Sequence, residues 1–176
     1  MALNAAVIGL GVGTAHIVAL RDTGAQVRAI CDVNEDLLNK VADEYGVEGR
    51  FPDFRDLAGC DDIDLVCICT PDHLHTDAAV AMMESGKHVL VEKPLATTFD
   101  DVQRIAETAR RTGRKLSHGC QLRFSPQFQE VKRQVQDGRF GEVFYAEADY
   151  VSNHADLFKA GWRGDLGQEY NGMAGG

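Results

Sequence analysis

Short apolar runs that alternate with longer helical patterns constrain this sequence most. Five such runs, rich in β-branched residues, follow one another along the first two thirds of the chain: AAVIGL, QVRAIC, IDLVCICT, KHVLVE and RKLSHG. This alternation is typical of βαβ units and a parallel sheet. Because the runs are continuously apolar, we expect strands that helices cover on both faces. The sequence therefore predicts an α/β fold with a doubly wound parallel sheet.

The segments between these runs carry signals for helix starts and ends. Asn34 is a predicted N-cap, and Gly46 ends the helix that it opens. Either Thr97 or Thr98 precedes the next helical pattern, which has acidic residues in its first turn and stops at Gly113. Helices are thereby predicted at 14–23, 35–45 and 99–112.

The pattern changes after Gln121. The sequence RFSPQFQEVKRQVQDGRFG predicts one amphipathic helix closed by glycine, and EVFYAEADYVS predicts a long strand with alternating faces. The remaining residues show no clear periodicity. We therefore predict two domains, with the doubly wound sheet in 1–121 and the beginning of an α+β domain in 122–176.

Composition argues against several functional classes. The formal charge of -9, from 18 basic and 27 acidic residues, disfavours a nucleic-acid partner. No apolar stretch approaches the roughly 20 residues of a membrane span, and the N-terminus lacks a basic targeting region. Five cysteines without a CxxC pair argue against a disulfide framework or a zinc site. We expect a cytoplasmic protein that does not bind membranes.

The first candidate motif is the glycine loop GLGVG, from Gly9 to Gly13, between the first strand and a helix. Gly9, Gly11 and Gly13, together with the intervening Val12, would let backbone N–H groups approach a pyrophosphate. The spacing departs from G-x-G-x-x-G because the third glycine comes one residue early. The alternative is a loop whose glycines serve only the turn from strand to helix.

Asp32 lies at the end of the second predicted strand, 19 residues after Gly13. That interval matches the acid that binds the adenosine ribose in dinucleotide-binding folds. A carboxylate at this place would accept hydrogen bonds from both ribose hydroxyls and repel a 2′-phosphate. We therefore expect NAD as the cofactor, with NADP possible, and the alternative is an aspartate that caps a helix.

Two further motifs follow central strands. TPDHLHTDA contains Thr70, Pro71, His73 and His75 at the strand edge where ligands bind in doubly wound sheets. The two histidines suggest a metal, but no third ligand is evident nearby, so we predict no metal site and favour a loop that faces a cofactor.

The second of these motifs, VEKPLATT, places Glu92 and Lys93 before Pro94 at the end of the strand KHVLV. A lysine held in this way could hydrogen-bond a substrate hydroxyl or accept its proton. The alternative interpretation is a surface lysine that ends a strand.

Together, GLGVGTAH, CDVNEDL, TPDHLHTDAAVAMMESGKHVLVEKP and RFSP resemble the family of glucose-fructose oxidoreductase, inositol dehydrogenase and the rhizopine-catabolism protein. The resemblance spans essentially the whole chain and is most specific from Thr70 to Pro94. It implies an N-terminal Rossmann domain and NAD(P)-dependent oxidation of a secondary hydroxyl on a sugar, polyol or related small molecule. It also implies self-association of the full-length enzyme.

The resemblance further implies roles for single residues. Lys93 would be catalytic and contact both substrate and cofactor, positioned by Glu92 and Pro94, while Thr70, Pro71 and His75 would line the cofactor cleft. Arg123 would lie near the substrate side. The family's D-x-G-x-H segment is absent from this sequence, so we expect a truncated chain that binds NAD without turnover. The alternative is a non-catalytic dinucleotide sensor of the same fold.

Overall fold

The computed structural model describes residues 2–149 and 151. These residues fall into two compact units, one ending at Gly119 and the next beginning at Cys120. The roles predicted for the two domains stay predictions.

The described part of the first unit contains a six-stranded sheet in which every pairing is parallel. The strand order is β3-β2-β1-β4-β5-β6, so the order reverses direction between β1 and β4. This is the doubly wound sheet that the sequence predicts. The strands are β1 (Asn4–Ile8), β2 (Gln26–Cys31), β3 (Gly49–Phe51), β4 (Leu65–Ile68), β5 (His88–Val91) and β6 (Leu116–His118).

Four α-helices of the first unit connect these strands, and two short 3-10 helices lie between them, at Phe54–Gly59 and Asp72–Leu74. The α-helices are α1 (Gly13–Asp22), α2 (Glu35–Tyr45), α3 (His75–Glu84) and α4 (Phe99–Thr112). The predicted ends of α2 and α4 are confirmed, and α1 lies within one residue of its predicted bounds. Asn34 accepts a hydrogen bond from the Leu37 N–H at the start of α2, and Thr98, not Thr97, caps α4.

Helices cover both faces of the sheet. Within β1, the neighbouring side chains of Val7 and Ile8 enter different clusters of buried apolar residues. The Ile8 cluster includes Met82 of α3 and Ile105 of α4, whereas the Val7 cluster includes Ile17 of α1. The central apolar runs that form β1 and β4 are therefore strands buried on both faces, as predicted. No helix among the described residues is both long and apolar enough to span a membrane.

Two features differ from the sequence-based expectation. The strand β3 was not predicted, because GRF has only three residues and no apolar run. The strand predicted at 142–152 is wrong for its described residues, which adopt no regular structure. A strand needs a hydrogen-bonded neighbour, and residues 142–149 have none among the described residues; the Phe144 side chain is 96% exposed.

The second unit contains the predicted amphipathic helix, α5 (Pro126–Gln136), which the side chain of Ser125 caps. A 3-10 turn, Gln121–Phe124, precedes it. None of the residues of α5 is buried, and its apolar side chains Phe128, Val131 and Val135 are each about half exposed.

Candidate functional site

Three loops of the first unit follow the carboxyl ends of adjacent central strands. The glycine loop follows β1, the turn at Thr70 follows β4, and the segment Glu92–Pro94 follows β5. The first two flank the position where the strand order reverses. In open α/β sheets, ligands bind at the carboxyl edge beside such a reversal. The fold thus brings the three predicted motifs to one edge of the sheet.

The three glycines of the first loop have different surroundings. Gly9 has a φ of +85°, and a Cβ on it would lie 2.5 Å from the Cys69 carbonyl oxygen. A Cβ on Gly13 would lie 2.8 Å from Cγ1 of Val7, so this glycine allows α1 to pack closely on β1. A Cβ on Gly11 would have no atom of the described residues within 4 Å, apart from its two neighbours in the chain. Protein packing therefore requires two of the glycines but not Gly11.

The N-terminus of α1 differs from those of α2 and α4. Val12 occupies the N-cap position with its side chain half exposed, and no side chain caps the helix. The first turn also lacks an acidic residue. Because the first N–H groups of a helix have no acceptor within the helix and carry partial positive charge, this end can accept an anion.

Asp32 follows β2 and lies partly buried beside the glycine loop. One carboxylate oxygen accepts the N–H of Leu10 at 2.8 Å, and the other accepts the N–H of Asn34 at 2.9 Å. The Asn34 side chain, not that of Asp32, caps α2. Since each carboxylate oxygen has a second lone pair, Asp32 can fix the loop and still accept further hydrogen bonds.

His75 has no exposed surface. Its Nδ1 lies 2.7 Å from the carbonyl oxygen of Pro94, and its Nε2 lies 3.0 Å from that of Thr70. The ring therefore bridges the loops that follow β4 and β5. Because His75 is fully buried, it supports the two loops, and in this conformation its side chain has no exposed surface for direct contact with a cofactor.

Thr70 and Pro71 lie partly buried at the same edge. The Thr70 hydroxyl oxygen is buried and has no hydrogen-bond partner among residues 2–149 and 151, which is uncommon for a buried polar atom. His73 is exposed on the next turn. No three His, Cys, Asp or Glu side chains within residues 2–149 and 151 converge as they would around a metal ion.

Glu92 is the most constrained member of its motif. Its Oε1 lies 2.9 Å from Nε2 of His16 on α1, and its Oε2 accepts the N–H of Lys93 at 3.0 Å. The hydrogen bond from His16 lowers the pKa of Glu92, with smaller lowering contributions from Lys93, while burial opposes the shift. The side chain of Lys93 itself is exposed.

The sequence did not identify His16 as a site residue. Its one sequence signal is its place on the first turn of the helix that follows the glycine loop, three residues after Gly13. Gly119 was also missed, and a Cβ on it would lie 3.2 Å from the Glu92 carboxylate. No local pattern marks either contact, because the partners are far apart in sequence.

Comparison with known proteins defines the family. The model of the Gfo/Idh/MocA oxidoreductases, described as an oxidoreductase family with an NAD-binding Rossmann fold, matches residues 3–120. The chain belongs to this family. The resemblance proposed from the sequence is confirmed, as is the Rossmann fold.

Individual members of the family support this assignment. The chain is 31% identical over 147 residues to inositol 2-dehydrogenase of Salmonella typhimurium, a match that covers 81% of this chain and 44% of that protein. It is 27% identical to scyllo-inositol dehydrogenase of Lactobacillus casei, solved with NAD(H) and scyllo-inositol, with a TM-score of 0.77 over 81% of this chain and 43% of that one.

A third relative is the WlbA dehydrogenase of Bordetella pertussis, solved with NADH and UDP-GlcNAcA. It is 29% identical, with a TM-score of 0.76, and the match covers 80% of this chain and 44% of that one. The chain therefore spans less than half the length of these relatives.

Proposed function

We propose that this chain binds NAD at the carboxyl edge of its sheet and belongs to a dehydrogenase of small hydroxylated molecules. The observation that carries the proposal is the environment of the three loop glycines. Packing accounts for Gly9 and Gly13, whereas a side chain on Gly11 would project into open space at the loop. A glycine in that position lets an external group approach the backbone closely, as a pyrophosphate does in dinucleotide-binding folds.

The start of α1 supports a phosphate site at this loop. Its N–H groups point toward the edge that carries Gly11 and Val12, and neither a capping side chain nor an acidic residue competes with an anion. The partial positive charge of the helix end would stabilise the pyrophosphate.

Asp32 supports the ribose end of the same site. Its carboxylate is already oriented by the two N–H groups of Leu10 and Asn34. It would accept hydrogen bonds from the ribose hydroxyls, and its negative charge would repel a 2′-phosphate. The following residues, Val33, Asn34 and Glu35, offer no arginine to such a phosphate. We therefore favour NAD over NADP.

Thr70 and Pro71 would border the middle of the bound dinucleotide. The Thr70 hydroxyl, which has no partner in the described part of the chain, offers a polar contact to a bound dinucleotide. His75, with both ring nitrogens against backbone carbonyls, would hold this turn in place. The donors and acceptors at this edge thus fit the chemistry of a dinucleotide.

Lys93 is the proposed catalytic residue. Its exposed side chain follows β5 at the edge that carries the other motifs, and its backbone N–H is fixed by Glu92. The ammonium would hydrogen-bond the substrate hydroxyl, and the neutral amine would accept its proton. When NAD is bound, its nicotinamide ring supplies the hydride acceptor.

The substrate class follows from the relatives. Inositol and UDP-GlcNAcA, the small molecules named for two of the relatives, both carry secondary hydroxyl groups. We therefore propose a sugar, polyol or related compound as the substrate. A cytoplasmic location and self-association of the enzyme belong to the same proposal and rest on sequence reasoning alone.

Two experiments test the proposal. Titration of the 176-residue chain with NADH and with NADPH, followed by nicotinamide fluorescence, should show saturable binding that is tighter for NADH. A hydride-transfer assay on the protein that contains this sequence should lose most of its activity in Lys93→Met. Unchanged activity in that variant would contradict the role of Lys93, and dinucleotide binding without any hydride transfer would favour a sensor.

A further inference from the structure

We infer that His16 is a positioning residue that connects the helix behind the glycine loop to Lys93 through Glu92. The inference rests on the proposed function, because it concerns the same edge of the sheet and the same lysine. The proposed function assigns no role to the side chain of His16 or to Gly119, which leaves room for the Glu92 carboxylate.

The contact between His16 and Glu92 is close and shielded. His16 Nε2 lies 2.9 Å from Glu92 Oε1 although the residues are 76 positions apart in sequence, and their side chains are 20% and 14% exposed. A carboxylate only accepts hydrogen bonds, so the imidazole nitrogen donates. Hydrogen bonds to an ionised group are stronger than neutral ones, and shielding from water reduces the screening that weakens surface pairs.

The remaining atoms of the Glu92 carboxylate are also constrained. Oε2 accepts the N–H of Lys93 at 3.0 Å, which ties the carboxylate to the backbone of the next residue. On another side, a Cβ at position 119 would lie 3.2 Å from the Cα, Cδ and Oε1 of Glu92, so a side chain there would crowd the carboxylate and Gly119 leaves it room. Glu92 is thus held by His16 of α1 and by the backbone of Lys93.

This arrangement forms a short chain of contacts from the glycine loop to Lys93. Gly13 begins α1 and packs against β1, and His16 lies on the first turn of the same helix. A shift of that turn would be transmitted to Lys93 through the side-chain contact between His16 and Glu92 and the hydrogen bond from the Lys93 N–H to Glu92. His16 therefore influences the position of Lys93. The phosphate contacts proposed for the glycine loop do not involve the His16 side chain.

Charge supports the same connection. The pKa of Glu92 is lowered first by the hydrogen bond from His16, so the carboxylate is ionised and accepts from both partners. The backbone N–H of Lys93 and the charge on its side chain lower the pKa of Glu92 further. Without His16, the contributions from Lys93 would remain to oppose the effect of burial on this pKa.

The test compares His16→Ala with His16→Gln, whose amide nitrogen can replace Nε2 as a donor. Val18→Ala serves as the control because Val18 is exposed on the same helix. On the 176-residue chain, carbon-13 NMR should follow the pH titration of the Glu92 carboxyl. We expect its pKa to rise in His16→Ala, to return toward the wild-type value in His16→Gln and to stay unchanged in Val18→Ala.

Kinetics separate positioning from a structural role. In the protein that contains this sequence, His16→Ala should lower kcat by about tenfold or more, since a small displacement of a catalytic group is costly. KM and the Kd for NADH should stay within about threefold, and His16→Gln should recover most of kcat. Equal losses in Kd and kcat that His16→Gln does not rescue would overturn the inference, as would an unchanged Glu92 titration in His16→Ala.

Failure of the proposed function would be visible separately. If the wild-type chain did not bind NADH, the proposed function would be wrong. The NMR titration would still test whether His16 lowers the pKa of Glu92, because that measurement requires neither cofactor nor turnover.

Discussion

The residues at the carboxyl edge of the sheet form two groups, which differ in whether their side-chain positions contact the rest of the protein. The backing residues, Gly9, Gly13, Asp32 and His75, each meet close protein contacts that fix their identity. The rim residues, Gly11, Val12 and Lys93, have side-chain positions that face open space. Folding therefore accounts for the backing residues, whereas the proposed NAD site would account for the rim residues.

The backing and rim residues should respond differently to substitution. Substitution of a backing residue should lower the free energy of unfolding, because it disturbs packing or buried hydrogen bonds. Substitution of a rim residue should leave stability unchanged and alter only ligand binding or turnover.

The largest effect is expected for Gly9→Ala. The new Cβ would lie 2.5 Å from the Cys69 carbonyl oxygen at a φ of +85°, so clash and backbone strain combine. We expect a loss of about 3 kcal/mol or more in the free energy of unfolding. Gly11→Ala, the matched rim variant, should change it by less than about 0.5 kcal/mol. Urea unfolding followed by circular dichroism measures both, and equal losses would break the distinction between backing and rim.

His75→Ala should have the next largest effect. It removes a fully buried ring whose nitrogens lie against the carbonyl oxygens of Thr70 and Pro94, and a neutral imidazole has one N–H to donate to them. The cavity and the lost hydrogen bond together should cost about 2–3 kcal/mol. Lys93→Met is the rim control and should unfold at the wild-type urea concentration. A His75→Ala chain as stable as wild type would show that the bridge between the two loops contributes nothing.

Asp32→Ala should have a smaller effect on stability and a second effect on cofactor choice. It removes the acceptor for two N–H groups, from Leu10 and Asn34, at a partly exposed position. We expect a loss of about 1–2 kcal/mol. The ratio of NADPH to NADH affinity should also rise, because the charge that would repel a 2′-phosphate is gone. Fluorescence titrations with both dinucleotides measure this ratio, and a constant ratio would contradict the ribose assignment.

The smallest effect concerns the pH dependence of stability. The pKa of Glu92 is lowered from its ordinary value of 4.5, chiefly by the hydrogen bond from His16. A lowered pKa in the folded state contributes stability above the unfolded value, and this contribution is lost as the pH falls through the folded value. The thermal unfolding temperature should therefore decrease less between neutral and acidic pH in Glu92→Gln than in the wild type. Parallel curves for the two proteins would show that the contacts of the Glu92 carboxylate contribute no pH-dependent stability.

Local signals in the sequence were sufficient for much of the fold. Asn34 and Gly46 delimit α2 because a capping side chain and a left-handed glycine act within a few residues. The strand predicted at 142–152 failed for the opposite reason. Alternating faces make a segment able to form a strand, but a strand forms only beside a partner, and the described residues 142–149 have none.

The candidate site was predictable to a similar degree. The motifs containing Gly11, Asp32 and Lys93 were evident from spacing and from their places after strands. The contact between His16 and Glu92 was not, since it depends on how α1 packs beside the end of β5. The burial of His75 likewise arises from two loops that meet only in the folded chain.

Calorimetric titration of the 176-residue chain and of its Gly11→Ala variant with NADH tests whether the glycine loop binds the dinucleotide. We expect one NADH site in the wild type, and an affinity at least about tenfold weaker in the variant at an unchanged unfolding temperature, since a methyl group at position 11 would obstruct the pyrophosphate. Absence of binding by the wild type, or equal affinity in the two chains, would contradict this expectation.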